Sequence, residues 1–138
     1  MTNYVAGFLF DNKREIVALV KKRKFPPGAN WSKNPFNAIG GKINEHETSF
    51  EAMQREFTEE TGVSINGWQW FLTLCHENWK VYFYKAFSDD VFNVKTMEDE
   101  EIFLRNATDT NAVVPNLRWI LPLALDESQQ GTAMATEK

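Results

Sequence analysis

The chain contains little cysteine, no long apolar run and no excess of basic charge. Its single cysteine, Cys75, cannot form an internal disulfide, which suits a reducing cytoplasm. No segment approaches the roughly 18 apolar residues of a membrane span, and the first residues lack the basic start and apolar run of a signal peptide. The formal net charge of −4 argues against sequence-independent binding to long nucleic acid, which needs a basic surface. We therefore expect a cytoplasmic protein whose partners include neither a membrane nor a long nucleic acid.

The remaining composition is that of a globular protein. Hydrophobic residues make up 43% of the 138 residues and aromatic residues 14%. A chain of this length buries roughly two thirds of its unfolded surface, so it can form a substantial core. We find no internal repeat and no linker. The sequence predicts a single domain over residues 1–126, followed by a polar, flexible tail over residues 127–138 that is low in bulky side chains.

Apolar, β-prone segments and turn signals predict the order of the secondary structure. Strands are predicted at residues 4–10, 15–20, 36–39, 68–76, 79–87 and 101–104. Loops are predicted at residues 25–35, 88–99 and 105–111. A helix is predicted from near Glu47 to Thr61, and residues 117–125 form either a strand end or a helix that packs on the core. The basic run at residues 21–24 is either a solvated loop edge or a site of phosphate attraction.

The segment from Gly40 to Val63 carries three carboxylates on one helical face. Glu56, Glu59 and Glu60 stand at i, i+3 and i+4, where like charges cost about a few tenths of a kcal/mol per pair. Glu59 and Glu60 also lie in the last turn before Gly62, a C-cap signal, where the helix dipole prefers cations. A purely structural helix would gain by avoiding this arrangement. The pattern therefore predicts that a positively charged group lies over that face.

The apolar positions of the same helix indicate how it meets the core. Phe50, Met53 and Phe57 recur at i, i+3 and i+7 and are predicted to face the core. At about 100° per residue, the three glutamates centre roughly 90° away from this stripe. They therefore flank the core, where a ligand over the edge of a sheet can be met. The pair Gly40-Gly41 indicates a backbone geometry or a close approach that a Cβ atom would block.

The residues of this segment resemble the Nudix (MutT-like) hydrolase family. The Nudix box is G-x5-E-x7-R-E-U-x-E-E-x-G-U, in which U is a bulky apolar residue. All nine specified positions are met within 23 residues, by Gly41, Glu47, Arg55, Glu56, Phe57, Glu59, Glu60, Gly62 and Val63. The resemblance covers about residues 3–126. It implies an α/β fold, an α/β/α sandwich with a mixed β-sheet, in which the helix at 47–61 covers one face and a C-terminal helix the other.

The resemblance also implies magnesium-dependent hydrolysis of a phosphoric anhydride, with Mn²⁺ able to substitute. Magnesium prefers carboxylate oxygens, waters and substrate phosphates, and it both stabilises negative charge and produces a nucleophilic water. The implied ligands are Glu56, Glu59, Glu60 and the main-chain carbonyl of Gly40. Arg55 and Glu47 are implied to form an internal ion pair that orients the glutamates. Glu56 is the first candidate for the general base, and Glu60 or a glutamate from a later loop competes with it.

A further acidic ligand is expected from a later loop, as in many members of this family. The acidic run from Met97 to Glu101 is the obvious source. Glu101, which stands just before the apolar residue Ile102, is the first candidate and Glu98 the next. For either residue, an ordinary solvated charge run is the alternative interpretation.

Substrate binding is predicted around Asn37. The segment Phe36-Asn37-Ala38-Ile39-Gly40-Gly41-Lys42 resembles that of the oxidised-purine nucleoside triphosphatases, in which an asparagine reads the edge of the base. Phe36 replaces the tryptophan of those enzymes and Ala38 their glycine, so the match is partial. An amide can donate to and accept from a purine at once. Asn37 is thus the candidate base reader, and a structural asparagine is the alternative.

Other candidate substrate contacts come from separate parts of the chain. Asn116 follows Pro115 in a segment that also resembles those enzymes, although they carry acidic residues there, and it is a second candidate for a hydrogen bond to the base. Lys42 and Arg23 are assigned to substrate binding as positively charged side chains. Trp31 either stacks on a base or packs on its own domain.

The predicted function is magnesium-dependent hydrolysis of a nucleoside triphosphate, with an oxidised or modified purine as one option, to a nucleoside monophosphate and pyrophosphate. One alternative is hydrolysis of another nucleoside diphosphate derivative, such as ADP-ribose or a dinucleoside polyphosphate. A second alternative is a sensing module that binds a nucleotide without turnover. The expected partner is a small nucleotide, and the expected assembly is a monomer or a homodimer.

Overall fold

The computed structural model describes residues 1–25, 28, 32–129 and 131–137. Its strands are β1 (Thr2–Phe10), β2 (Ile16–Lys21), β3 (Phe36–Asn37), β4 (Ile39–Lys42), β5 (Gln69–Cys75), β6 (Trp79–Phe87), β7 (Ile102–Asn106) and β8 (Ala133–Thr136). Its helices are α1 (Ser49–Thr61), a short 3-10 helix (Asp89–Asn93) and α2 (Leu117–Leu125). No helix among the described residues is long and apolar enough to cross a membrane.

The strands form one mixed sheet in the order β3-β2-β1-β6-β5-β8, with β4 also paired to β1 and β7 to β2. β1 runs parallel to β6, and β5 runs parallel to β8, whereas the other pairs are antiparallel. One edge of β1 is shared, because Tyr4 to Gly7 pair with β4 and Phe10 pairs with Val17 of β2. This arrangement brings the two glycines of β4 directly against the start of β1.

The two helices cover opposite faces of the sheet, as predicted for an α/β/α sandwich. Alternation along β1 sends Leu9 into the core under α1, and Phe8 and Phe10 into the core under α2. Met53 and Phe57 of α1 are fully buried in the first core, and the second includes buried residues of α2. The mixed sheet between two helices confirms the predicted fold class.

Helix α1 is capped at both ends by residues of its local sequence. Thr48 and Glu51 form a capping box, in which each side chain accepts a hydrogen bond from the backbone N–H of the other residue. At the other end, Gly62 has φ 76°, the left-handed conformation that glycine adopts at low cost. The three glutamates of α1 therefore stand on a helix with two stable caps.

Several predicted features differ from the structure. Phe50, the second residue of α1, was predicted to face the core but is 38% exposed and makes an edge contact with Tyr84, whereas Ala52 is fully buried. Arg105 and Asn106 end β7 and do not belong to a loop, since they pair with β2. Residues 133–136 form β8 and not a free polar tail, because they pair with β5 and place two small alanines on the core.

Candidate active site

Arg55 connects α1 to the loop that precedes it. Its Nε donates to Glu47 Oε2 at 2.7 Å and its Nη2 donates to Glu47 Oε1 at 2.9 Å, a bidentate pair. The same Nη2 donates to the main-chain oxygen of Lys42 at 3.0 Å. The hydrogen bond from Arg55 lowers the pKa of Glu47, and Glu47 in turn raises the pKa of Arg55. Both groups are therefore charged, and the loop from β4 is held against the helix.

Glu56 lies between this arginine and β4. Arg55 Nη1 donates to Glu56 Oε1 at 2.8 Å. A Cβ atom built on Gly41 would lie 2.5 Å from the Glu56 carboxyl carbon, so the carboxylate occupies space that only a glycine leaves open. Burial raises the pKa of Glu56, and the hydrogen bond and charge of Arg55 oppose that shift. Glu56 is thus a half-desolvated carboxylate fixed in position by its neighbours.

Glu60 is the most perturbed carboxyl group of the site. Its Oε2 atom is buried and has no hydrogen-bond partner among the described residues. Burial, and then the negative charges of Glu56 and Glu98, raise the pKa of Glu60 to about 8, and the positive charge of Lys22 opposes this shift. A buried acceptor without a donor is costly. The arrangement is understandable if a cation completes it.

Of the two candidate carboxylates from the later loop, the structure places Glu98 beside Glu60, whereas Glu101 does not line that cavity. The backbone N–H of Met97 donates to the main-chain oxygen of Glu60, which ties the loop to the end of α1 and brings Glu98 beside the helix. Glu98 lines the same cavity as Glu60 and adds negative charge to it. Glu101 is exposed and precedes β7, where its main-chain oxygen accepts from the backbone N–H of Lys21.

The predicted ligand set is only partly assembled in the structure. Glu59 has a side chain that is 52% exposed, and it lies 3.3 Å from Arg55 Nη1. Among the described residues, no three His, Cys, Asp or Glu side chains are arranged to hold a metal ion as they stand. The donor chemistry nevertheless fits a hard divalent cation, because the unpartnered Glu60 oxygen and the mutual repulsion of Glu56, Glu60 and Glu98 would both be relieved by one.

Two cavities flank this site, and Lys22 lines both of them. The acidic cavity, of about 710 Å³, is lined by residues of the basic run, by Glu60 and by the loop 97–100. The sheet cavity, of about 490 Å³, lies on the α2 face of the sheet. Its walls include the apolar or aromatic residues Val5, Leu74, Trp79, Val81, Phe83 and Val114, and its polar residues include Asn37 and Asn116.

The basic run is ordered by the acidic loop opposite. Lys22 Nζ lies 2.8 Å from Glu100 Oε1, and the backbone N–H of Arg23 donates to Glu100 Oε2 at 2.7 Å. Arg23 Nη1 donates to the main-chain oxygen of Asp99 at 3.2 Å. Of the two basic residues assigned to substrate binding, Arg23 lines the acidic cavity. Lys42 is exposed and belongs to neither cavity.

The two asparagines predicted to bind the base both line the sheet cavity. Asn37 Oδ1 accepts from the backbone N–H of Ala38 at 2.8 Å, and no described residue accepts from its Nδ2. Asn116 precedes α2 but its side chain makes no capping hydrogen bond. Both amides therefore have hydrogen-bonding capacity left for a ligand. Trp31, the third candidate, lies outside the described residues.

Sequence reasoning missed Lys22, Trp79 and Glu137 as cavity residues, and it ranked Glu98 second. Lys22 stands in a run of four basic residues, and composition does not show which of them turns inward. Trp79 begins a strand in which apolar and polar residues alternate, so this alternation could have predicted on which face of the sheet its side chain lies. Glu137 follows the unpredicted strand β8, so its place in the sheet cavity depends on a pairing that no local signal indicates.

Comparison with known proteins gives one family match and several structural matches. The sequence matches the NUDIX domain over residues 2–132. Among curated proteins, none matches the chain.

Similar folds include a MutT structure from work on the Aliivibrio salmonicida and Vibrio cholerae proteins, with a TM-score of 0.72 and 18% identity, covering 89% of this chain and 96% of that one. The MutT NUDIX hydrolase from Burkholderia pseudomallei has a TM-score of 0.70 and 17% identity, covering 88% and 96%. The MutT protein from Bacillus halodurans has a TM-score of 0.68 and 18% identity, covering 88% and 80%. At these identities the structural matches establish the fold.

Proposed function

The chain belongs to the NUDIX family and is a Nudix pyrophosphohydrolase, and from this premise we propose that it hydrolyses a nucleoside triphosphate to a nucleoside monophosphate and pyrophosphate. The observation that carries the proposal is that Lys22 lines two cavities of different chemistry. The sheet cavity combines apolar walls with amide and charged side chains, and its volume of about 490 Å³ suits a nucleoside. The acidic cavity suits phosphates accompanied by a divalent cation.

The roles of the acidic residues follow from their surroundings. Glu56, Glu60 and Glu98 would hold a magnesium ion, with Glu59 and the Gly40 carbonyl as the further predicted ligands. When bound, the ion supplies charge stabilisation at the phosphates and a water of lowered pKa. Glu56 is held by Arg55 and beside Gly41, which suits a ligand that must keep one position. Glu60, with its pKa raised to about 8, remains the competing candidate for the general base.

The basic and amide residues would position the substrate. Lys22 and Arg23 face the acidic cavity, so they would contact the phosphates, with Lys22 nearest to the nucleoside side. Asn37 and Asn116 would hydrogen-bond the base. Lys42 would contribute mainly through its main-chain oxygen, which Arg55 holds. Arg55 and Glu47 act as positioning residues, since they touch the glutamate and the loop and not the cavities.

A product analysis tests this function. The purified protein is incubated with magnesium and separately with each of the natural and oxidised nucleoside triphosphates, with ADP-ribose and with a dinucleoside polyphosphate. The proposal expects nucleoside monophosphate and pyrophosphate in equal amounts from at least one triphosphate. Release of orthophosphate with a nucleoside diphosphate would contradict it, as would turnover confined to ADP-ribose or dinucleoside polyphosphates.

The Glu60→Gln variant is the matched control for contaminating activity. It keeps the size of the side chain but removes the charge that would hold the cation, so we expect turnover to fall about 100-fold or more. The Glu45→Gln variant changes a carboxylate that is 89% exposed and lines neither cavity, so it should retain the wild-type rate. Equal rates for Glu60→Gln and wild type would mean that this carboxylate takes no part in the reaction.

A further inference from the structure

The C-terminal strand places a carboxylate in the sheet cavity. Along β8, Ala133 and Ala135 pack on the core under α2, whereas Met134 is 75% exposed on the other side. Glu137 stands two residues after Ala135. Because alternate residues of an extended chain point to the same face, its side chain is directed to the α2 face. Glu137 accordingly lines the sheet cavity together with Asn37 and Asn116.

Several hydrogen bonds fix the position of Glu137. Its backbone N–H donates to the main-chain oxygen of Cys75 at 2.8 Å, which continues the pairing of β8 with β5. Before the strand, Thr132 Oγ1 donates to the oxygen of Trp70 at 3.2 Å and Gln129 Nε2 to that of Phe71 at 3.0 Å. The C-terminal segment is thus attached to β5 along its length, and the exposed residue Glu137 lines the cavity from a sheet position.

The polar groups of the sheet cavity offer a ligand both donors and acceptors of hydrogen bonds. Asn37 Oδ1 is occupied by Ala38, so Asn37 presents N–H donors. An ionised Glu137 presents only acceptors, and no described side chain donates to it. Lys22, the cation that lines the cavity, is already paired with Glu100. A base that enters this cavity therefore meets donors at Asn37 and acceptors at Glu137.

We propose that Glu137 is a specificity-determining residue, whose carboxylate accepts a hydrogen bond from an exocyclic amino group of the substrate base while the Asn37 amide donates to a base acceptor. This inference rests on the proposed function and names the substrate class more closely, as nucleotides with an amino-substituted base. A base without the amino group would leave the carboxylate facing carbon or a carbonyl oxygen. Glu137 is exposed before a ligand binds, so the base would have to cover its carboxylate. A polar group that is covered without a partner is a strong source of discrimination between similar substrates.

Binding of paired nucleotides tests the inference without hydrolysis. The probes are α,β-methylene triphosphates of guanosine against inosine and of adenosine against purine riboside, since each pair differs only by the amino group. Calorimetric titration with magnesium is expected to show that the amino member of at least one pair binds wild type about 10–100-fold more tightly. Glu137→Ala should reduce that preference to about threefold or less, and Glu137→Gln, which keeps a neutral acceptor, should give an intermediate value.

The control variant is Met134→Ala on the same strand. Met134 lines neither cavity and is exposed, so this variant should keep the wild-type preference and shows whether disturbance of β8 alone alters binding. Equal binding within both pairs by wild type would overturn the inference, as would an unchanged preference in Glu137→Ala or no binding of any probe. Hydrolysis is measured separately. If wild type hydrolyses triphosphates but the preference does not depend on Glu137, this inference alone fails and the proposed function stands.

Discussion

Gly40 and Gly41 differ in what a side chain would meet at each position. A Cβ atom on Gly40 would collide with the carbonyl oxygen of Val5 in the neighbouring strand. A Cβ atom on Gly41 would instead meet the carboxylate of Glu56. The first glycine is therefore required by strand pairing, whereas the second leaves room for a residue of the candidate active site. Neither position has a positive φ, so close approach and not backbone conformation explains the pair.

Gly41→Ala should damage activity more than stability. The added methyl group would push the Glu56 carboxylate away by about an ångström, and misplacement on that scale can lower the rate about 100-fold. The backbone can accept alanine, because its φ is negative. We expect kcat to fall by about two orders of magnitude while the urea midpoint changes little. Steady-state kinetics on the substrate identified by product analysis, with urea unfolding beside it, provides the check.

Gly67→Ala is the control for this substitution. A Cβ atom there meets nothing within 4 Å and the φ is again not positive, so both rate and stability should match wild type. If Gly41→Ala also retained the wild-type kcat, the contact between residue 41 and Glu56 would have no role in catalysis.

At the scale of single residues, helical spacing determines which carboxylates lie together on α1, whereas the position of a carboxylate from a distant loop depends on tertiary contacts. Glu56 and Glu60 lie together because three- and four-residue separations on a helix leave little choice. The choice between Glu98 and Glu101 depends on where the loop touches α1. That contact consists of two backbone hydrogen bonds, from Lys95 to Thr61 and from Met97 to Glu60, and no sequence pattern encodes it. Glu101 directly precedes β7 and its main-chain oxygen accepts from the backbone N–H of Lys21 in β2, so contact with β2 and not with the helix positions it.

Among the elements, α1 and its preceding loop behave as one unit because of Arg55. The Arg55 side chain contacts Glu47 in the loop, Glu56 on the helix and the main chain of Lys42 in β4. Three elements are therefore joined by one planar guanidinium group. Lysine carries the same charge but offers a single nitrogen, which cannot reproduce this set of bonds.

Arg55→Lys should consequently lower both stability and activity. The side chains of Arg55 and Glu47 are 27% and 14% exposed, so we expect a loss of about 2 kcal/mol in the free energy of unfolding, less than for a fully buried pair. Turnover should fall because Glu56 loses its partner. Arg118→Lys, at an exposed position of α2, should leave both quantities unchanged. Urea unfolding with kinetics distinguishes the two variants, and equal stability of Arg55→Lys and wild type would rule out the joining role.

Among whole elements, local sequence signals predicted the helix α1 but not the strand β8. The bounds of α1 could be predicted because its cap residues, its apolar stripe and its terminal glycine are all local signals. The strand β8 could not, since its short Ala-Met-Ala-Thr sequence has no pronounced alternation of apolar and polar residues. It is stabilised by pairing with β5, in which Leu72 lies 61 residues before its partner Ala133. The consequence is larger than one missing strand, because β8 also brings Glu137 to the sheet cavity.

In the molecule as a whole, the sheet separates two kinds of chemistry. The α2 face holds a cavity with apolar walls, two amides and Glu137, and the edge near the end of α1 holds the carboxylates of the candidate metal site. Lys22, which directly follows β2, connects them. Like charges at the carboxylate edge oppose folding in the absence of a cation, since burial and mutual repulsion both disfavour the ionised form of Glu60. The stability of the whole chain should therefore depend on divalent cations.

Thermal unfolding with and without magnesium tests this dependence. At a magnesium concentration about 100 times the dissociation constant, binding to the folded state alone contributes about 2.7 kcal/mol, which corresponds to a rise in Tm of roughly 5–10 °C. In a chelating buffer Glu60→Gln should be more stable than wild type, because it removes a buried carboxylate that faces two others. With magnesium, the difference in stability between the variant and wild type should narrow or reverse, since the variant binds the ion more weakly. Equal magnesium-induced shifts in the two proteins would exclude Glu60 as a ligand, and the absence of any shift in wild type would argue against a magnesium site at this edge.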